Sequence, residues 1–211
     1  KDNIFTKEGT NLSTKADGKL KARTADLGGD VHADGTLTIE TDEHLAAKNI
    51  TAGGNATLNA GAELSAKDVN VGGDLNAKAK NITANNVTGK GNADFTSEQN
   101  VTLGGKTNVG GTLTANVGKD FAANGSVTTG TDFTVTVGNN FTSNDDIATG
   151  QNLVASVDND FTTNGAVTTG GDFTANVGNN VTTNNIVTTG GNLVMKVTND
   201  LTANAVVLSH G

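Results

Sequence analysis

The chain has 211 residues, 34% of them hydrophobic, with 28 glycines and no Cys, Pro, Trp or Tyr. Without Cys there are no disulfides, no thiolate catalysis and no cysteine zinc clusters, and no apolar run approaches the roughly 18 residues of a membrane span, so no membrane insertion is expected. A net charge of −8 repels a phosphate backbone, which sets nucleic acid aside as a partner.

The chain opens Lys1-Asp2-Asn3, with neither an initiator Met nor a signal peptide, and its repeat still runs at Asn204. It reads as an excerpt from a longer protein. Residues 1–109 carry a loose grammar, Gly28-Gly29-Asp30-Val31, Gly53-Gly54-Asn55-Ala56, Gly72-Gly73-Asp74-Leu75 and Asn92-Ala93-Asp94-Phe95, at uneven gaps. Such drift predicts degenerate solenoid coils with longer corners. The stretch from Glu43 to Ile50 has a helical-turn alternative, but the flanking Gly-Gly pairs favour a coil with a long corner. Thirteen of the 14 basic residues precede Phe121, and Lys196 alone follows it. Lys15, Lys19, Lys21 and Arg23 read as a solvated face rather than a binding patch.

From Gly110 onward the chain repeats itself at Gly130, Gly150, Gly170 and Gly190, as in G-T-D-F-T-V-T-V-G-N-N-F-T-S-N-D-D-I-A-T from Gly130. A fixed period of about 20 residues points to a stacked solenoid. Phe133, Val135 and Val137 alternate with Thr134 and Thr136, the period-two signature of a strand buried on one face. Gly138-Asn139-Asn140 then supplies a turn through residues that accept left-handed backbone angles cheaply. Phe141 starts a second strand and Ile147 a third, so one coil is three short strands and three corners. The zero Pro content suits a backbone whose N–H groups are committed to ladders.

The inward columns are Leu113, Phe133, Leu153, Phe173 and Leu193, then Phe121, Phe141, Phe161, Val181 and Leu201, then Val127, Ile147, Val167, Val187 and Val207. Asn124, Asn144, Asn164, Asn184 and Asn204 form an unbroken corner column, predicted to hydrogen-bond along the axis. The blocks from Gly130 and Gly170 resemble each other more than they resemble those from Gly150 and Gly190, so the unit is two coils. Asp120, Asn140, Asp160, Asn180 and Asp200 alternate in one column and Asp132, Asn152, Asp172 and Asn192 in another. Alternation keeps stacked carboxylates near 10 Å apart instead of about 4.8 Å.

Chemistry is sparse. His32, His44 and His210 have no partner at metal-ligand spacing, and Asp145-Asp146 and Asp158-Asn159-Asp160 lack the calcium-repeat pattern. Asp42 and Glu43 form a carboxylate pair without a Tyr or Trp to stack a sugar. The outward Thr142, Thr162, Thr182 and Thr202 suggest an ice-binding array, but Thr134/Thr136 becomes Val154/Ser156 and then Val194/Lys196, which breaks it. No enzyme activity and no cofactor or metal are expected.

The recurrent G-G-[DN]-[LF], as in Gly170-Gly171-Asp172-Phe173, Gly190-Gly191-Asn192-Leu193 and Gly72-Gly73-Asp74-Leu75, is followed by motifs such as Val177-Gly178-Asn179-Asn180-Val181-Thr182. Together these resemble the haemagglutinin repeats of filamentous haemagglutinin-like exoproteins, a family of two-partner-secreted adhesins and contact-dependent inhibition toxins. The resemblance covers residues 110–207 well and the rest loosely. It implies an all-β, right-handed parallel β-helix, a solenoid with one repeat per coil, spanning 1–211 as one unit. It further implies export through an outer-membrane transporter and residence outside the cell, where a structural shaft carries functional modules outward. The alternative is that the irregular loops of residues 1–109 themselves recognise a receptor or surface glycan on a host or target cell.

Overall fold

Alternating side chains and glycine-marked corners leave the backbone one economical solution, in which each coil lays its strands in parallel on those of the coil before. The structure, a computed structural model, describes residues 3–211, and Lys1 and Asp2 lie outside them. It is an all-β parallel solenoid of about ten turns, with no helix among the described residues. A regular coil contains a five-residue strand such as Leu113–Val117, then two three-residue strands such as Phe121–Ala123 and Val127–Thr129. Three apolar side chains of the first strand and the outer two of each short strand point inward. The five-residue strands form one ten-stranded sheet, and the short ones belong to a second sheet of nineteen strands.

Register is strict in the second half. Leu113, Phe133, Leu153, Phe173 and Leu193 pair in succession, as do Phe121, Phe141, Phe161, Val181 and Leu201. Because identical positions stack, Phe rings stack too: Phe121 on Phe141 at 5.2 Å and Phe141 on Phe161 at 4.6 Å, nearly parallel. Phe133 tilts against Phe121 and Phe141 from the opposite sheet, and Phe173 against Phe161. Each buried ring contributes about 1.5–3 kcal/mol. In the coil of residues 193–209, Leu201 is 55% and Val207 41% exposed although both occupy core columns.

The first half departs from expectation. Its coils are shorter than the regular ones, since Leu37 already pairs with Ala56, Ala56 with Leu75, and Leu75 with Ala93. The corner between the second and third strands has lost a residue: Leu45 and Ile50 occupy the columns of Phe121 and Val127. So short a span cannot fold back through a full corner, and the chain runs on as a nine-residue strand in His44–Ala52, Glu63–Val71 and Asn81–Gly89. These long strands join the second and third faces into the nineteen-stranded sheet. Glu43 to Ile50 is thus neither a helical turn nor a long corner. A longer corner does occur between the strands Ile4–Thr6 and Leu12–Thr14, where Thr10 N–H donates to Lys7 O and Gly9 has φ 80°.

Gly9 holds the only positive φ among the described residues, which corrects the expectation that the regular corners turn through left-handed Gly and Asn. Their glycines answer a different need. A Cβ on Gly130 would lie 2.0 Å from the carbonyl oxygen of Gly110, and one on Gly150 2.0 Å from that of Gly130. Gly110, Gly130, Gly150, Gly170 and Gly190 are one column of close backbone approach, and this contact sets the glycine period.

Candidate functional site

Two kinds of feature rise above the uniform stack: ladders of amides and carboxylates along the corners, and a groove over the first coils. The ladders follow from geometry. At a corner the backbone leaves the strand register, and the N–H just ahead of the next strand needs an acceptor from outside the backbone ladder. The Asx side chain one coil earlier supplies it. Asp132 Oδ1 accepts from Asn152 N–H at 2.9 Å, Asn152 Oδ1 from Asp172 N–H at 2.9 Å and Asp172 Oδ1 from Asn192 N–H at 2.7 Å. In the parallel column Asp120 Oδ1 accepts from Asn140 N–H and Nδ2, Asn140 Oδ1 from Asp160 N–H, and Asp160 Oδ1 from Asn180 N–H. Either Asp or Asn can accept, but only Asn can also donate, so alternation gives each carboxylate an amide neighbour. The same device recurs upstream where Asn55 caps Asp74 and Asp74 caps Asn92. Asp17 caps Thr36, whose N–H and hydroxyl hold the Asp17 carboxyl below its ordinary value.

The five corner asparagines form a polarised ladder. Asn144 Nδ2 donates to Asn124 Oδ1 at 2.8 Å, Asn164 to Asn144 at 2.8 Å, Asn184 to Asn164 at 2.7 Å and Asn204 to Asn184 at 2.7 Å. All five lie exposed.

An open groove lies along the coils of residues 11–86, lined by Asn11, Ser13, Asp30, His32, Asn49, Thr51, Asp68, Asn70 and Asn86. One of its walls is another Asx column: Asn49 Nδ2 donates to Asp30 Oδ1 at 2.7 Å and Asn86 Nδ2 to Asp68 Oδ1 at 2.6 Å. Asn49 Oδ1 is buried without a hydrogen-bond partner. The column follows the shortened corner, which turns Asn49 and Asp68 into strand residues paired with each other. The column does leave a trace in sequence, since Asn11, Asp30, Asn49, Asp68 and Asn86 recur at steps of 19, 19, 19 and 18 residues, but only Asp30 sits in a Gly-Gly motif of the kind that marks the coils elsewhere.

The other candidates stay apart. His32 Nε2 lies 2.7 Å from Asp34 Oδ1, His44 Nδ1 3.6 Å from Glu63, and His210 Nδ1 2.9 Å from Thr189 O. No group of three His, Asp or Glu able to hold a metal occurs among the described residues. Asp145 accepts from Asp146 N–H and Asp146 from Ala166 N–H, both serving corners. Asp160 belongs to the ladder described above. Glu43 accepts from Thr24 Oγ1 at 3.1 Å and lies 3.5 Å from Arg23. Lys21 pairs with Glu40 at 2.8 Å, and that hydrogen bond holds the ammonium above its usual value. Of Lys15, Lys19, Lys21 and Arg23, the last two are therefore engaged by acids of the next coil. Thr142, Thr162, Thr182 and Thr202 stack in register on the outer surface, one per three-residue strand.

Missed from sequence were the inward hydroxyls. Thr129, Thr149, Thr169 and Thr189 are buried, and each Oγ1 donates to the carbonyl two residues on, at 3.1, 3.0, 2.9 and 2.8 Å. Thr163 and Thr183 are buried too, and their hydroxyls have no partner.

Compared with protein-family models, curated proteins and solved structures, the chain matches none.

Proposed function

We propose that this chain is a shaft segment of a large secreted bacterial surface protein, an adhesin or a contact-dependent inhibition toxin, that holds functional modules away from the cell. The observation that carries the reading is the unbroken register in which Phe121, Phe141, Phe161, Val181 and Leu201 pair coil upon coil. Such a stack has few irregular features on which to build a reaction and many that resist bending: inter-coil backbone ladders, side-chain ladders at the corners, and a continuous apolar core. The haemagglutinin-repeat resemblance adds the secreted, cell-surface setting and the outer-membrane transporter as partner during export. A chain with no Cys and no Pro suits that route, since neither disulfides nor slow prolyl isomerisation would interfere with threading and refolding. No catalytic role, cofactor or metal is part of the proposal.

The groove over residues 11–86 favours a second reading, in which the segment itself binds a receptor or glycan. The amides, hydroxyls and carboxylates of its lining are hydrogen-bonding groups of the kind a polyol would use. One experiment separates the readings: the purified chain is titrated against host cells, bacterial cells and immobilised glycans. The shaft reading expects no saturable binding. Saturable binding that disappears in Asn70→Ala and Thr51→Ala, both outward-facing lining residues, would replace it with the second reading.

A further inference from the structure

The corner ladder contains two asparagines that are followed by glycine, Asn124-Gly125 and Asn164-Gly165. Glycine there answers crowding: a Cβ on Gly125 would lie 2.5 Å from the Gly105 backbone, and one on Gly165 2.2 Å from that of Asp145. The other three ladder asparagines precede Asp145, Asn185 and Ala205, whose side chains hinder attack at the preceding amide. Sequence adjacency thus puts, at an exposed corner, an asparagine amide carbon beside a backbone nitrogen whose own residue carries no side chain to hinder attack.

We propose that Asn124 is a site of spontaneous deamidation in the folded shaft, and that the ladder protects Asn164 from the same reaction. The Gly125 nitrogen, losing its proton, attacks Asn124 Cγ; the new N–C bond closes a succinimide as the C–Nδ2 bond breaks and ammonia leaves. Water then opens the ring at one carbonyl or the other, giving aspartate or isoaspartate. No oxidant, metal or enzyme enters the balance.

The two sites differ in how firmly the side chain is held. Asn124 is the first rung. Its Oδ1 accepts from Asn144 Nδ2, but its own Nδ2, the leaving group, has no acceptor among the described residues. Asn164 is held at both ends: its Nδ2 donates to Asn144 Oδ1 and its Oδ1 accepts from Asn184 Nδ2. Rotating Asn164 toward its glycine breaks one more hydrogen bond than rotating Asn124. Gly165 is also buried where Gly125 is half-buried, which limits the water and base that the reaction needs. One additional hydrogen bond corresponds to roughly fivefold in rate.

Ladder polarity also decides what each product does. Aspartate at 124 still accepts from Asn144 and loses only an unused donor. Aspartate at 164 turns an acceptor toward Asn144 Oδ1, so two acceptors face each other.

The test is to hold the folded chain at mildly alkaline pH and follow each ladder asparagine by peptide mass spectrometry, with the chain unfolded in urea as reference. Asn124 is expected to convert about fivefold faster than Asn164 in the folded chain, and at the same rate in urea. Asn144→Ser, which removes the acceptor of Asn164 Nδ2 and also the donor to Asn124 Oδ1, should bring Asn164 up toward the rate that Asn124 shows in the unsubstituted chain. Equal folded-state rates at the two sites would overturn the proposal, as would an Asn124 as stable as Asn184, or no effect of Asn144→Ser on Asn164.

Discussion

Asn140 shows what a single side chain contributes in a ladder. It donates to Asp120 and accepts from Asn159 Nδ2 and from Asp160 N–H. Asn140→Asp keeps the acceptor and deletes the donor, leaving carboxylates in three successive coils. A loss of about 1–2 kcal/mol at neutral pH is expected in urea unfolding, shrinking at high salt where exposed charges are screened. Asp17 makes the pH argument. Its carboxyl titrates below the ordinary 3.8 in the folded chain because of Thr36. A depressed folded-state value contributes stability above the unfolded-state value and loses it as pH falls through the folded one. Asp17→Asn, which retains an acceptor for Thr36 N–H, should therefore flatten the acid limb of the stability curve and change little at neutral pH. The inward hydroxyls give a paired prediction. Thr163→Val replaces an unsatisfied buried hydroxyl with a methyl and should stabilise by about 1 kcal/mol, whereas Thr169→Val removes the bond to Gly171 O and should destabilise by a similar amount. Thermal melts of the two variants would move in opposite directions. Both threonines end a three-residue strand at an inward position, and only the structure shows that the Thr169 hydroxyl reaches Gly171 O while that of Thr163 has no partner.

At the scale of strands and corners, periodicity made most of the second half legible. Phe133, Val135 and Val137 alternate with threonines and do face inward, and the regular glycine period marks real corners. What periodicity could not show was why glycine is needed. Left-handed turns and close backbone approach leave the same trace in sequence, and the backbone angles together with the 2.0 Å Cβ clash at Gly150 decide between them. Gly150→Ala should destabilise by about 1–3 kcal/mol or more, because the atom it meets is backbone and cannot rotate away. In the first half, the corner of Leu45 to Ile50 is where spacing misleads. A deleted residue and an inserted one both disturb the spacing of Gly-Gly landmarks, and the corner that lost its turn carries no glycine to report it. The near-regular spacing of the Asx column does not by itself show a groove, since Asn49, Asp68 and Asn86 join it as strand residues only because that corner is straightened.

For the whole molecule, nearest-neighbour stacking makes length a count of coils and stability nearly a sum of coil-to-coil interfaces. Charge is uneven along it: 13 basic residues face 15 acidic ones up to Asp120, and one faces seven beyond it. The regular half is thus the strongly acidic half, and its alternating Asp and Asn columns keep that charge compatible with a tight stack. The same alternation makes two coils, not one, the natural unit of removal. Deleting residues 133–172 would join Asp132 to Phe173 and bring Asp120 beneath Asn180, preserving both columns; deleting 133–152 would set Asp132 beneath Asp172. The most direct measurement is solution scattering on these two deletions with circular dichroism alongside. The shaft account predicts that removing the two coils of 133–172 shortens the longest dimension by about 10 Å. It also predicts an unchanged β signal per residue and a smaller stability loss per residue than removing 133–152 alone. Loss of the β signal, or an unchanged length, in the two-coil deletion would contradict it.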